Sequence, residues 1–518
     1  MSTTLQRLPI GIQGFESLRN DGYLYVDKTR LVYDLTHTNR YFFLSRPRRF
    51  GKSLLLSTIK CYYEGKRELF DGLYLSTVEK EWKKHPVLYL DLNTNKYDNP
   101  EVLTQKLTDS LFEWEEVYGT TNRDLPLGMR FEKVIRRAHE KTGLRTVILV
   151  DEYDKPMLQA IGNIELQDAY RATLKGFYGA LKSMDEHIQF AMLTGVTKFG
   201  KVSVFSDLNN LKDISMDRRY YDICGITEEE LLGNFPAHID RLAEANKLTR
   251  DECIAQLRQR YDGYHFEETA PGVYNPFSVL NTLDMSKFGS YWFETGTPSY
   301  LVQLLQEHDT NLEQMASYET DADTLNSIDI TSQSPIPVIY QSGYLTIKGY
   351  DSEFGTYKLG FPNEEVSEGF AKYLLPFYTS CRQGSTSFDV KNFVQDVRAG
   401  RTEQFLERLR SLFADTPYEL VKDLENHYQN VVWIVAKLMG FYVQAEYRTS
   451  RGRIDLVLKA PKYCYVMEFK LDGTAEEALA QIKDRNYTLP FQLDGQQIIR
   501  IGLNFSKEHR NIEQYIVE

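Results

Sequence analysis

Two stretches of the sequence carry residue types whose spacing suits chemistry on phosphate groups. The first is Arg46-Pro-Arg-Arg-Phe-Gly-Lys-Ser53, a polar loop between the apolar run Tyr41-Phe-Phe-Leu-Ser45 and the helix-like Leu54-Leu-Leu-Ser-Thr-Ile-Lys-Cys-Tyr-Tyr63. Gly51-Lys52-Ser53 has the form of the end of a Walker A loop. There a flexible backbone wraps phosphates and the N–H groups of a helix N-terminus face the anion. Lys52 would neutralise the β- and γ-phosphates and Ser53 would ligate Mg²⁺. Arg48, Arg49, Phe50, Gly51 and Leu54 complete the nucleotide-binding set around them. Arg46 stands where G-x-x-x-x-G-K-[ST] has its first glycine, so Gly51-Lys52-Ser53 alone also reads as a helix start with a lysine beside it.

A second element supports the nucleotide reading. Val147-Ile-Leu-Val-Asp151-Glu152 is an apolar run ending in two carboxylates, the form of a Walker B strand. Asp151 would hold Mg²⁺ through water, and Glu152 would orient and polarise the attacking water. The next apolar run ends in Thr194-Gly-Val-Thr197. Thr194 at that strand tip either senses the γ-phosphate or closes a Thr-Gly turn. Arg46, Arg48 and Arg49 crowd the loop, where they stabilise phosphate charge or contact a partner subunit or nucleic acid; Arg218 and Arg219 are weaker candidates for a finger acting in trans.

The other stretch lies near the C-terminus. Gly452-Arg-Ile-Asp455-Leu-Val-Leu458 and Tyr463-Cys-Tyr-Val-Met-Glu468-Phe-Lys470 read as the two strands of a hairpin. Alternation puts Glu468 and Lys470 on one face, and Asp455 begins the neighbouring strand, so the three can converge. Asp455 and Glu468 suit one or two Mg²⁺ ions, with Mn²⁺ as an alternative, and the lysine suits a water or developing negative charge. Glu425, on a preceding helix that ends at Gly440, would add a third carboxylate, with Glu446 and Glu419 as competitors. Thr474-Ala-Glu-Glu477 has the form of a helix-opening capping box. That helix carries Gln481 and Arg485 on one face, suited to a scissile phosphate or the attacking water. An exposed aspartate beside an E-x-K salt-bridge strand is the bland alternative.

These residues need particular elements behind them. Strand-type runs at Tyr41–Ser45, Val87–Asp91, Thr146–Val150 and Ile188–Leu193 alternate with amphipathic stretches, which predicts a parallel sheet with helices on both faces. Length suggests about three domains: a P-loop ATPase domain at 1–227, a mainly helical lid or interdomain region at 228–375, and a C-terminal α/β domain at 376–518. In the middle region, Val338–Ile347 reads as a helix end followed by a strand, part of a small wing. The net charge of −12 lowers the expectation of tight nonspecific nucleic-acid binding, although a local basic groove can still bind phosphates on an acidic chain. The five cysteines (Cys61, Cys224, Cys253, Cys381, Cys464) are scattered, which argues against zinc and disulfides and for a reducing, cytoplasmic setting. The longest apolar stretch, Val431–Ala445, is interrupted by Lys437 and Gln444, so no membrane span is expected, and the N-terminal residues lack the apolar run of a secretory signal.

The blocks Leu8-Pro-Ile-Gly11, Tyr25-Val-Asp-Lys-Thr29, Ser45 to Leu54, Val150-Asp-Glu-Tyr-Asp-Lys-Pro156, Phe199-Gly-Lys-Val-Ser203 and Asn209-Asn-Leu-Lys-Asp-Ile-Ser215 resemble the bacterial AAA-ATPase-like family. The resemblance spans about residues 5 to 285, and arginines in place of the first P-loop glycine belong to that family's pattern. Thr449 to Leu458, Glu468-Phe-Lys-Leu-Asp472 and Ala475 to Lys483 resemble the PD-(D/E)XK nuclease superfamily domain often fused to this ATPase. That likeness implies Asp455 and Glu468 as metal ligands, Lys470 as the catalytic lysine and Gln481 as the polar residue on the helix. The expectation is an ATP-dependent protein that cuts DNA or RNA with Mg²⁺, with a homo-oligomer left open. The alternative is an ATP-driven signalling or scaffold switch whose nuclease-like domain only binds nucleic acid or protein. No helicase motif set or pore loop marks a translocating motor.

Overall fold

The structure is a computed structural model that describes residues 5–120, 122–198, 210–294, 301, 304–305, 308, 310–315, 317–326, 334–379, 386–414, 424–440, 442–449 and 452–518. The chain divides into two compact units, one made of Met1–Thr295 and Glu319–Glu364, the other of Gly296–Tyr318 and Glu365–Glu518.

The N-terminal unit is built on a five-stranded sheet of β1 (Tyr41–Ser45), β2 (Val87–Asp91), β3 (Thr146–Asp151), β4 (Ile188–Gly195) and β5 (Lys212–Asp213), in the order β2-β3-β4-β1-β5. Every pairing is parallel. β1 and β3 are buried along their whole length, as apolar strands covered on both faces must be. The helices Lys52–Tyr63, Pro100–Tyr118, Leu127–Thr142 and Ile164–Tyr178 connect these strands, because parallel neighbours need long crossovers. β4 lies between β1 and β3, so the strand ending in Thr194 separates the two strands that lead into Gly51-Lys52-Ser53 and Asp151-Glu152.

The compact units do not follow the divisions expected at 227 and 375. The helices Glu228–Asn234, Pro236–Asn246, Arg250–Tyr261 and Pro276–Met285 enclose a core of Leu231, Phe235, Ile239, Leu242, Leu257 and Leu283, and Leu8 and Leu24 from the chain's beginning complete it. That apolar core fastens the first part of the middle region to the N-terminal unit. A three-stranded antiparallel sheet follows, β6 (Glu319–Asp321), β7 (Thr346–Asp351) and β8 (Thr356–Gly360), with the helix Ile336–Gln341 leading into β7.

The C-terminal unit carries the sheet β13-β12-β11-β10-β9, formed by β9 (Tyr442–Thr449), β10 (Gly452–Lys459), β11 (Tyr463–Leu471), β12 (Gln497–Ser506) and β13 (Asn511–Val517). β11 and β12 are parallel, and the helix Ala475–Asp484 makes their crossover. Its capping box is formed, with Thr474 and Glu477 bonding each other's backbone N–H. Gly502 lets this helix lie directly on β12, since a Cβ there would collide with the Ala475 carbonyl and the Leu479 backbone. No helix among the described residues is long and apolar enough to cross a membrane.

Two candidate catalytic centres

The loop Arg46–Gly51 leaves β1 and enters the helix Lys52–Tyr63 through Gly51, whose φ of 96° is a left-handed conformation suited to glycine. No side chain caps this helix, which leaves its first N–H groups, the usual anion receptors, to a ligand. Lys52 is buried, and its Nζ donates to the carbonyls of Arg46 (3.0 Å) and Pro47 (3.3 Å) and lies 3.4 Å from Glu152 Oε1. Asp151 is buried too. Thr194 Oγ1 donates to its Oδ1 at 2.8 Å, and the Ser53 side chain neighbours the same carboxylate and favours its charged form. Burial, and then the neighbouring Glu152 charge, hold the Asp151 carboxyl above the ordinary aspartate range. Lys52, Ser53, Asp151, Glu152 and Thr194 therefore meet at the C-terminal ends of the inner strands β1, β3 and β4, with the kinds of donors and carboxylates that suit a nucleotide and its cation.

The arginines behave differently from one another. Arg46 is only 1% exposed. Its guanidinium donates to the carbonyls of Ser45 (2.9 Å), Ser215 (2.7 Å) and Tyr220 (3.2 Å) and stacks 3.9 Å over Phe266. It is therefore a buried pin and does not face a phosphate or a partner. Arg48 and Arg49 are exposed; the Arg49 guanidinium sits 4.7 Å over Phe277, and the Arg48 carbonyl accepts from the Trp292 indole at 3.1 Å. The Phe50 ring is buried edge-on against Tyr264 and Phe266, which leaves its backbone, and not its ring, for a ligand. Leu54 is half-buried on the first turn of the helix. Arg218 is exposed, and Arg219 is held by Asp217, with Nε 2.9 Å from its Oδ1. Sequence reasoning passed over Gly343, where a Cβ would lie 2.6 Å from the Pro47 side chain. It also passed over Asp154, although the block Asp151-Glu-Tyr-Asp-Lys-Pro156 was the available signal.

In the C-terminal unit β10 and β11 pair through Leu456↔Met467, and one further step in that register sets Asp455 opposite Glu468 on the same face. Asp455 Oδ2 accepts from the Phe469 N–H at 2.8 Å. Lys470 Nζ donates to Gln481 Oε1 at 2.6 Å, and Gln481 Nε2 donates in turn to Glu468 Oε1. Gln481 thus ties the lysine to the carboxylate; Tyr487 Oη lies 3.4 Å from the same amide nitrogen. Glu468 is 3% exposed and its Oε2 has no hydrogen-bond partner. Burial, and then the facing Asp455 charge, push its pKa up to about 8. Two facing carboxylates, one with an orphaned oxygen, form a site that a divalent cation would satisfy. Among the described residues no three His, Cys, Asp or Glu side chains are grouped to hold a metal. Glu425 lies on the helix Leu424–Leu438, but its side chain, that of Glu446, and all of Glu419 fall outside the described residues.

Residues 9–205 match the family model described as Predicted AAA-ATPase, and residues 423–515 match that of the PD-(D/E)XK nuclease superfamily. A protein of Azotobacter chroococcum mcd 1, described as "Uncharacterized protein in vnfD 5'region", is 36% identical over 535 aligned positions, which cover 99% of each chain. The likeness thus runs through the ATPase-like part, the middle and the nuclease-like part together. The chain belongs to the family of AAA-ATPase-like proteins that carry a C-terminal PD-(D/E)XK nuclease superfamily domain.

Proposed function

We propose that this protein binds and hydrolyses ATP with Mg²⁺ and cleaves phosphodiester bonds of nucleic acid at Asp455, Glu468 and Lys470. The observation that carries the nuclease half is the unpartnered, buried Glu468 Oε2 facing Asp455 beside a lysine, an arrangement that costs stability unless a cation occupies it. Asp455 and Glu468 would hold Mg²⁺ or Mn²⁺, which when bound polarises the phosphodiester and acidifies a water. Lys470 supplies a positive charge for the attacking water or the scissile phosphate. Gln481 keeps that ammonium aligned with Glu468 through its two amide atoms.

In the N-terminal unit the first-turn N–H groups after Gly51 bind phosphate, and Lys52 exchanges its loop carbonyls for the terminal phosphates. Ser53 and Asp151 would hold the cation, Glu152 would polarise the attacking water, and Thr194 keeps Asp151 oriented. Arg48 and Arg49 remain exposed at the loop to meet phosphate charge.

The test is a cleavage assay on single- and double-stranded DNA and RNA with Mg²⁺ or Mn²⁺, with and without ATP. Wild type should cut at least one substrate, Asp455→Asn and Lys470→Ala should not, and Lys52→Ala should lose ATP turnover. Absence of cutting on every substrate in both metals would sink the nuclease reading. Wild-type protein that binds nucleic acid without cutting it, and keeps that binding in both nuclease-site substitutions, would make the domain a binding module.

A further inference from the structure

Glu152 has a φ of 52°, a left-handed conformation that residues with a side chain rarely adopt. What holds it there is the chain leaving β4. Tyr153 N–H donates to the Thr194 carbonyl (3.0 Å) and Tyr153 Oη to the Thr197 carbonyl (2.9 Å). Asp154 is fully buried, and its Oδ2 accepts from the N–H of Val196 (3.0 Å), the N–H of Thr197 (2.6 Å) and Thr197 Oγ1 (2.6 Å). Among the described residues it forms no salt bridge; these three donors and the charge of Lys52 support the carboxylate, whose Oδ1 has no hydrogen-bond partner. The two segments interlock: a Cβ on Gly195 would lie 2.5 Å from Asp154 Oδ1 and 2.7 Å from the Tyr153 ring.

We propose that Asp154 is a positioning residue for ATP hydrolysis, locking the strained Glu152 and the Thr194 strand end into one rigid unit. This rests on the ATPase reading above. A fully buried carboxylate is costly unless it is hydrogen-bonded. Here it draws in three donors from the strand end whose Thr194 hydroxyl bonds Asp151. Glu152 and Thr194 reach the site from different strands, β3 and β4, and Asp154 with Tyr153 is what fixes their relative position.

The test uses the full chain with Asp154→Ala, Asp154→Asn and Thr197→Val. ATP affinity is measured by calorimetry, turnover by phosphate release, and amide hydrogen exchange is followed at Tyr153, Val196 and Thr197. Misplacing a catalytic group by about an ångström costs on the order of 10²-fold in rate. Asp154→Ala should therefore lose about that much kcat, keep its ATP Kd within about 3-fold, and exchange faster at the three amides. Asp154→Asn, which keeps a carbonyl oxygen for the same three donors, should recover most of the turnover, and Thr197→Val should fall between. If Asp154→Ala does not fold, Asp154→Asn and Thr197→Val decide the matter by the same split between kcat and Kd. Turnover at the wild-type level in Asp154→Ala or Thr197→Val, or parallel loss of affinity and turnover, overturns the assignment alone. A wild-type protein that binds ATP but never hydrolyses it overturns the ATPase reading and this assignment with it.

Discussion

Arg46→Gly would restore the glycine that the ordinary P-loop pattern has at this position, and it should make the protein worse. In the structure the guanidinium satisfies three carbonyls, those of Ser45, Ser215 and Tyr220, and covers Phe266. Hydrogen bonds from a charged donor contribute about 1.5–3 kcal/mol each, and orphaned buried acceptors cost a similar amount. Against this stands the burial of the charge, which lowers the Arg46 pKa from 12.5 to about 10, a penalty of about 3 kcal/mol that removal would relieve. The glycine adds about 0.5–1 kcal/mol of backbone entropy. The net expectation is a loss of about 3 kcal/mol, which moves a urea midpoint down by about 1 M. A Trp433→Phe background leaves Trp82, Trp114 and Trp292, all in the N-terminal unit, to report its unfolding. Arg46→Lys should lie between wild type and Arg46→Gly, because one ammonium cannot span three carbonyls set for a planar fork. An unchanged midpoint in Arg46→Gly, accompanied by weaker ATP binding, would refute the pin and return Arg46 to the phosphates.

In metal-free protein Glu468 has a folded pKa of about 8 against an ordinary 4.5, so the folded state binds the extra proton between those values. Stability of the C-terminal unit in chelator should fall as pH rises from about 4.5 to about 8, and Glu468→Gln should flatten that slope in urea titrations. Calorimetry at pH 7 should show Mn²⁺ binding with an observed heat that varies with the buffer's ionisation heat, the mark of proton release, and Asp455→Asn should weaken the binding at least about tenfold. Nucleotide at the P-loop should shift tryptophan emission, because the Trp292 indole bonds the Arg48 carbonyl; Trp292→Phe should abolish the shift, and a shift that persists would place the reporter elsewhere.

The strands, the P-loop helix and the nuclease hairpin were legible because their signals are local. Apolar runs end in carboxylates, a glycine precedes a lysine at a helix start, and alternation puts Glu468 and Lys470 on one face. Asp455 needed only a hairpin register to reach Glu468. Gln481 was legible as a helix-borne polar residue, but its double bond to Lys470 and Glu468 was not, since an amide's partners depend on how the helix lies over β11 and β12. Asp154 was hidden because two of its three donors are backbone N–H groups 42 and 43 residues later, which leave no mark on residue type, and the third, the Thr197 hydroxyl, is as distant in sequence. The extent of the N-terminal unit was hidden for a similar reason. Leu8 and Leu24 look like ordinary apolar residues until the helices at 228–285 close over them.

The irregular P-loop shows best why residue type alone misled. Five consecutive residues, Arg46 to Phe50, each rest on the segment after residue 260: Arg46 on Phe266, Pro47 against Gly343, Arg48 through its carbonyl on Trp292, Arg49 over Phe277, and Phe50 between Tyr264 and Phe266. In an ordinary P-loop glycine supplies freedom at the first position, and the loop takes its shape around phosphate. Here a guanidinium and an aromatic cluster fix that shape before any ligand arrives. The middle region is therefore part of the loop's own scaffold. A loop held on five successive contacts passes its movement to what it rests on, so the segments carrying Trp292 and Gly343 are where a response to nucleotide would first register.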